Sequence, residues 1–203
     1  MSNKSVFCNT PWYEAHIYWN GDLGICCQES HKLYSSEESQ YNIKNMSLKD
    51  WFNSEPVRKL RRDILSNERF DLCSMCYKEQ EVGGTSRRHR SNQKSAIFTE
   101  SAFDQSYQQS PGLIHFEHSR NHNGYSNTLP IDLHIDLGNY CNLACKMCWA
   151  GASTKIATQH VKWGIQEDKK YLKNDWTKDE VVWNRFLNDL LEIPKLKNIH
   201  LMG

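Results

Sequence analysis

The sequence predicts an α/β chain in which a small α+β module precedes a strand–loop–helix–strand unit. Three observations carry this. Residues 131–137 alternate apolar and polar side chains, the period of a strand. Trp183, Phe186, Leu187, Leu190 and Leu191 recur at helical spacing and stop before Pro194. Near the start, the β-forming run Ala15 to Trp19 is followed by Asn20-Gly21, the favoured pair for a tight type I′ hairpin turn, and by a returning run from Leu23 to Cys27. The predicted divisions are an N-terminal module over 1–92, a linker over 93–128 and the core unit over 129–203.

Bulk composition narrows the function. A net charge of +1 on 203 residues gives no basic field for nucleic acid. A hydrophobic content of 38% and a mean hydropathy of −0.75 are low for a chain with one large core. No apolar run approaches membrane-spanning length and no secretory signal opens the chain. The eight cysteines are therefore expected to be metal ligands in a reducing cytoplasm rather than disulfides.

Within the first module, Cys26 and Cys27 are adjacent on the predicted return strand, so their side chains should point to opposite faces. One of them reaches a site shared with Cys8, and the other is a packed thiol. Residues 28–46 are polar and Ser/Glu-rich, as in a surface loop. Ser47 caps a helix over 48–53 with Asp50 at its third position, and Ser54 caps the next, with Pro56 in its first turn. Val57, Leu60 and Ile64 share the buried face of that helix, while Arg58, Lys59, Arg61 and Arg62 are expected to be solvated. Cys73 and Cys76 form a C-x2-C turn. With Cys8 and Cys26 they make a four-thiol set that suits either zinc or a fully ligated [4Fe–4S] cluster, and spacing alone does not decide. A helix from Glu79 to Asn92 is expected to break around Gly83-Gly84, with Arg87, Arg88 and Arg90 facing water. The Ser/Gln/Asn-rich linker contains His115, His118 and His122, which lack the flanking ligands of a metal site.

In the core unit, Ile131, Leu133, Ile135 and Leu137 form an apolar face and Asp132, His134 and Asp136 a polar one. In a closed βα barrel the polar face lines the lumen, which makes His134 and Asp136 candidates for the site. The strand leads into Cys141, Cys145 and Cys148, a C-x3-C-x2-C loop. A structural zinc takes four protein ligands, so these thiols would need a borrowed fourth. A [4Fe–4S] cube held by three thiolates instead keeps one iron open. A helix start over 150–163, a charged insertion over 167–175, a Thr177-x-x-Glu180 capping box and a second strand over 199–202 complete a βαβ unit with parallel strands.

The C-x3-C-x2-C spacing after a strand, with Asn142 following the first cysteine, resembles the radical S-adenosylmethionine (SAM) superfamily. The resemblance implies that Cys141, Cys145 and Cys148 hold a [4Fe–4S] cluster whose open iron chelates SAM. It also implies that one electron cleaves SAM to methionine and a 5′-deoxyadenosyl radical, which abstracts a substrate hydrogen. Met147 stands where the family has a residue near the adenine. Gly203 looks like the first glycine of the family's Gly-Gly-Glu-type motif, so the chain is expected to hold only the first βαβ unit of an incomplete (β/α) barrel. A truncated or split gene product of this kind is not expected to bind SAM productively by itself.

A second resemblance lies in Cys8, Gly21-x4-Cys26, a Leu-x2-Trp-x-Asn-Ser segment and Cys73-x2-Cys76, followed by Glu79, Gly83 and Arg87. It is similar to the SPASM and twitch domains that carry auxiliary iron–sulfur clusters in radical SAM enzymes. Val82 occupies the position of a further SPASM cysteine, which implies one auxiliary cluster and not two. The implied partners are a peptide or small-molecule substrate, an electron donor such as flavodoxin or ferredoxin, and a separately encoded barrel half. The contrasting expectation is a non-enzymatic zinc or iron–sulfur binding module.

Overall fold

The computed structural model describes residues 6–27, 41–98, 111–172, 176–193 and 196–202. Gly203 and Pro194 lie outside these residues, as do most of the predicted 28–46 loop and part of the linker. The framework is a four-stranded mixed sheet with helices packed on it, so the α/β class holds.

A short helix α1 (Thr10–Tyr13) enters strand β1 (Glu14–Ile17), which pairs antiparallel with β2 (Leu23–Gly24). The connecting turn is not type I′. Gly21 alone takes the left-handed conformation, at φ +88°, while Asn20 uses its side chain on Asp22. Gly21 N–H donates to Tyr18 O and Tyr18 N–H to Asp22 O, the pattern of a type I turn closed by a glycine bulge. The return strand ends at Gly24, so Cys26 and Cys27 lie beyond the ladder and not on a strand.

Helix α2 (Leu48–Phe52) starts as expected: Ser47 Oγ accepts from Asp50 N–H at 3.0 Å. Helix α3 (Glu55–Leu65) buries Val57, Leu60 and Ile64, again as expected. It also buries Arg61, which is 0% exposed, contrary to the solvated placement expected from its charge. The guanidinium finds four neutral acceptors: Pro11 O at 2.9 Å, Phe52 O at 2.8 Å, Asn53 Oδ1 at 3.0 Å and Gly124 O at 3.1 Å. It also lies over the Phe52 ring. Burial pushes its pKa down to about 9, which leaves it charged at neutral pH.

Helix α4 (Ser74–Glu81) stops before Gly83, at φ +85°, and α5 (Arg87–Phe98) follows, which is the break expected at the paired glycines. The linker expected over 93–128 is in part helical: α5 runs on to Phe98, and α6 spans Pro111–Asn121. Polar contacts seat α5. Ser91 Oγ donates to Glu14 Oε1 at 2.9 Å, Asn9 Nδ2 to Ser91 O at 3.1 Å and Asn92 Nδ2 to Phe7 O at 3.0 Å. Phe116 and Ser119 help to hold helix α6. Phe116 packs edge-on to Trp12 at 4.9 Å, and Trp12 Nε1–H donates to Ser119 Oγ at 2.7 Å.

Helix α6 ends through two left-handed residues, Asn123 (φ 52°) and Gly124 (φ 78°). A Cβ on Gly124 would lie 2.2 Å from the backbone oxygen of Arg58. Gly124→Ala should therefore cost more than the roughly 1–3 kcal/mol of a strained left-handed residue, because the backbone must also move apart. Thermal unfolding followed by circular dichroism would show this as a lowered midpoint, and an unchanged midpoint would contradict it.

Strand β3 (Asp132–Asp136) pairs parallel with β1 on one side and with β4 (Asn198–Met202) on the other. The sheet order is β2-β1-β3-β4, so one sheet takes strands from both sides of the predicted linker. Helices α7 (Thr154–Lys162) and α8 (Glu180–Leu191) lie between β3 and β4, as the βαβ unit requires. The cap of α8 is Asp179 and not Thr177. Its Oδ1 accepts from Val181 N–H at 3.0 Å and Val182 N–H at 3.1 Å, bonds that a residue two places earlier does not reach. Of the predicted α8 stripe, Phe186 is buried and Trp183 and Leu190 pack on the core. Leu187 and Leu191 face outward, since Val182 and Phe186 set the buried line instead.

Register sorts the sheet into two faces. Ala15, Leu133 and Ile199 align, as do Ile17, Ile135 and Leu201. In β1 and β3 these residues join a core with Leu48, Trp51, Phe52, Trp176 and Phe186. In β4, at the sheet edge, Ile199 and Leu201 stay exposed. On the opposite face Glu14, Asp132 and Asn198 form one row, and His16, His134 and His200 the next.

Candidate metal centre

The C-x3-C-x2-C loop leaves the carboxyl end of β3, where parallel sheets place their ligand sites. Its three thiols range from half-buried (Cys141, Cys148) to exposed (Cys145). Leu143 N–H points at Cys141 Sγ at 3.4 Å, and Cys148 N–H closes a turn on Cys145 O at 3.0 Å. The start of α7 anchors the loop. Ser153, its N-cap, donates its hydroxyl to Leu143 O at 2.8 Å, and Lys155 N–H reaches Cys141 O at 3.4 Å. A three-thiolate donor set in a half-exposed loop suits an iron–sulfur cube with an accessible iron. Trp149 and Tyr171 meet edge to face at 5.4 Å beside this loop, and Tyr171 also touches Trp19 of the hairpin turn. Met147 is 100% exposed, and Gly203 lies outside the described residues.

The N-terminal thiols are arranged by the start of the chain and by the turn before α4. Cys73 closes a 3-10 turn over Asp71–Cys73, and Cys76 sits in the first turns of α4. The Cys8 Sγ–H donates to Thr10 Oγ1 at 3.2 Å. Burial raises the Cys8 pKa, and the nearby Glu14 and Cys76 push it the same way. A metal must displace that proton, and its positive charge relieves the same burden. Burial raises the Tyr77 pKa, and Cys73 and Cys8 push it the same way. Cys26 and Cys27 act instead on Arg87. None of the eight cysteines is in a disulfide.

Arg87 belongs to the polar face of the sheet. The arginines expected in water are largely not there. Arg87 donates to Glu14 Oε2 at 2.5 Å and lies 3.5 Å from His134 Nε2. Burial opposes its charge, but Glu14, Cys27 and Cys26 outweigh that and leave its pKa raised. Arg88 is buried against Tyr77 and donates to Gln80, while Arg90 is exposed and caps Thr85 O. A carboxylate row and a π-face, neither visible in local sequence, draw Arg87 and Arg88 inward.

His134 and Asp136, both expected on the polar face, are there. His16 Nε2 is 3.4 Å from Asp136 Oδ1, and Asp132 Oδ1 is 3.6 Å from His134 Nε2 and 3.2 Å from His200 Nε2. Burial, then Arg87, lowers the His134 pKa to about 4 despite Asp132, so its imidazole is neutral. Sequence reasoning passed over Glu14, His16, Asp132 and His200 as site residues. The signal was available: Glu14-Ala15-His16-Ile17 alternates as 132–136 does, and Ile199-His200-Leu201 repeats it. The His115, His118 and His122 trio makes no comparable grouping. His118 and His122 stack on the exposed side of α6, and His115 bonds Asn127.

The fold and these thiols define an α/β chain with two cysteine sets and a polar sheet face. Residues 8–77 match the SPASM family, an iron-sulfur cluster-binding domain. The match opens on Cys8 and closes one residue past Cys76, so it contains Cys8, Cys26, Cys73 and Cys76. Iron–sulfur cluster binding is the function this stretch supports. No curated protein and no solved structure matches the chain. No helix among the described residues is long and apolar enough to cross a membrane.

Proposed function

We propose that the chain is the cluster-bearing part of a radical SAM enzyme, with a SAM-binding cluster on Cys141, Cys145 and Cys148 and an auxiliary cluster on Cys8, Cys26, Cys73 and Cys76. The observation that carries this reading is the three-thiol loop at the carboxyl end of a parallel strand, bound down by the first turn of the following helix. When bound, a cluster of this kind supplies the electron that splits SAM into methionine and a 5′-deoxyadenosyl radical. The chain's own residues hold and shape the site. Leu143 N–H meets Cys141 Sγ, the start of α7 holds the Cys141 and Leu143 carbonyls, and Trp149 packs edge-on to Tyr171 beside the loop. His134, Asp136 and Arg87 present polar groups to a peptide or small-molecule substrate. Flavodoxin or ferredoxin is the proposed electron donor, and the β4 edge, unpaired among the described residues, is able to take a further strand.

Electron paramagnetic resonance on anaerobically reconstituted protein tests the assignment. A cube held by three thiolates loses its open iron on mild oxidation and shows a three-iron signal. Wild type is expected to show that signal and Cys145→Ser to lack it. Absence of the three-iron signal in wild type, or a three-iron signal that survives Cys145→Ser, overturns the proposal.

A further inference from the structure

The strongest unassigned feature is the polar face of the sheet, where side chains from neighbouring strands converge. We propose that Asp132, His134 and His200 bind one divalent transition-metal ion, at a site separate from both cysteine sets. The inference does not rest on the cluster reading, because none of the three is a thiol and none lies within residues 8–77.

Parallel register builds the site. His134 and His200 are direct partners on adjacent strands, so both rings leave the same face, and they stack at 4.4 Å. Asp132 stands two residues before His134, one pleat along the same face. The ligand atoms of all three lie within 4.8 Å of one another. Asp132 Oδ1 sits 3.6 Å from one Nε2 and 3.2 Å from the other. Donors about 2.0 Å from a tetrahedral ion are about 3.3 Å apart, so little movement separates this arrangement from a coordinated one.

A second observation points to a cation. Asp132 is 8% exposed, and its Oδ1 is buried without a hydrogen-bond partner. A buried carboxylate oxygen is costly unless something positive or a donor meets it. The other oxygen has its own neighbour, the Asn198 amide at 3.5 Å, which orients the carboxylate with Oδ1 toward the two imidazoles. Arg87 is the nearest competing cation. Its contact with His134 is long, at 3.5 Å, whereas its pair with Glu14 is 2.5 Å, so it keeps Glu14 when an ion takes His134 Nε2.

Exposure grades across the site from buried Asp132 through half-buried His134 to exposed His200. An ion therefore enters from the β4 side and keeps at least one coordination position open to water. Two imidazoles and one carboxylate suit zinc, ferrous iron or manganese, and three protein ligands with an open position mark a reactive site more than a structural one. His16, one strand over on β1, and its partner Asp136, further along β3, lie beside it as groups able to hold or move a proton on a bound water.

Manganese separates this site from the cysteines, since Mn²⁺ favours nitrogen and oxygen ligands over thiolates. Loss of the free Mn²⁺ resonance on titrating the full-length anaerobic protein is expected to report about one bound ion per chain. His200→Ala and Asp132→Asn are expected to weaken binding about tenfold or more, and added zinc to displace the manganese. Cys141→Ser and Cys73→Ser leave it unchanged. Without metal, His200→Ala melts like wild type because the side chain is exposed, and Asp132→Asn melts no lower because a buried charge is removed. Mn²⁺ raises the melting temperature of wild type only. Mn²⁺ binding that is absent in wild type, or equal in wild type and both variants, overturns the proposal.

Discussion

Anaerobic reconstitution of this chain is expected to give about eight irons and eight sulfides per molecule, the content of two cubes. Cys141→Ser and Cys148→Ser each remove about half of that, and Cys73→Ser removes the other half. The two losses are independent because the thiols belong to different elements. Cys141, Cys145 and Cys148 share one loop between β3 and α7, whereas Cys73 and Cys76 ride on the start of α4. The N-terminal half of the expectation is supported by the SPASM match over 8–77. The other half stands on loop geometry alone, which makes Cys141→Ser the more informative variant. Iron, sulfide and zinc analysis on the three proteins decides it. One or two zincs without sulfide would replace both clusters by mononuclear sites, and the chain would then be a binding module.

The second large effect belongs to Arg61. Arg61→Ala is expected to destabilise the fold by about 3–5 kcal/mol, since buried acceptors left without a donor cost roughly 1–3 kcal/mol each and water can reach some of them. The loss is compound. Four acceptors on Pro11, Phe52, Asn53 and Gly124 lose their donor while staying buried, and the Phe52 ring loses its cation. Those acceptors come from α1, the end of α2 and the loop after α6, so the damage reaches three segments at once. In a chain of this size that corresponds to a fall of on the order of 10 °C in the unfolding midpoint. Arg61→Met fills the volume and should recover only part of the loss, since it donates nothing. A midpoint within 2–3 °C of wild type, roughly 1 kcal/mol, would show that water replaces the guanidinium without penalty.

Arg61 also shows where sequence reasoning reaches its limit. The apolar face of α3 is legible because Val57, Leu60 and Ile64 repeat at helical spacing, and the cap at Ser47 is legible because its partner is three residues away. The alternation at 131–137 places β3, and with it His134 and Asp136. What escaped is held by polar groups far apart in sequence. Helix α5 docks through Ser91 and Asn92, and α6 through Phe116 and Ser119, so neither leaves an apolar period to detect. The histidine row needed strand register, which no single segment encodes: His16, His134 and His200 align only once β1 lies beside β3 and β3 beside β4.

That placement of β1 constrains when the protein can fold. Its hydrogen-bonding partner on one side, β2, follows within a few residues, but its partner on the other side is more than a hundred residues downstream. During synthesis the hairpin must wait with one edge bare until β3 has left the ribosome. Long-range parallel pairing of this kind is slow, and bare edges recruit other chains. Early loading of a cluster on the proposed ligands Cys8, Cys26, Cys73 and Cys76, all made before β3, would hold the first segment in shape through that interval. Cells starved of iron should accordingly accumulate the protein as aggregate before its synthesis declines.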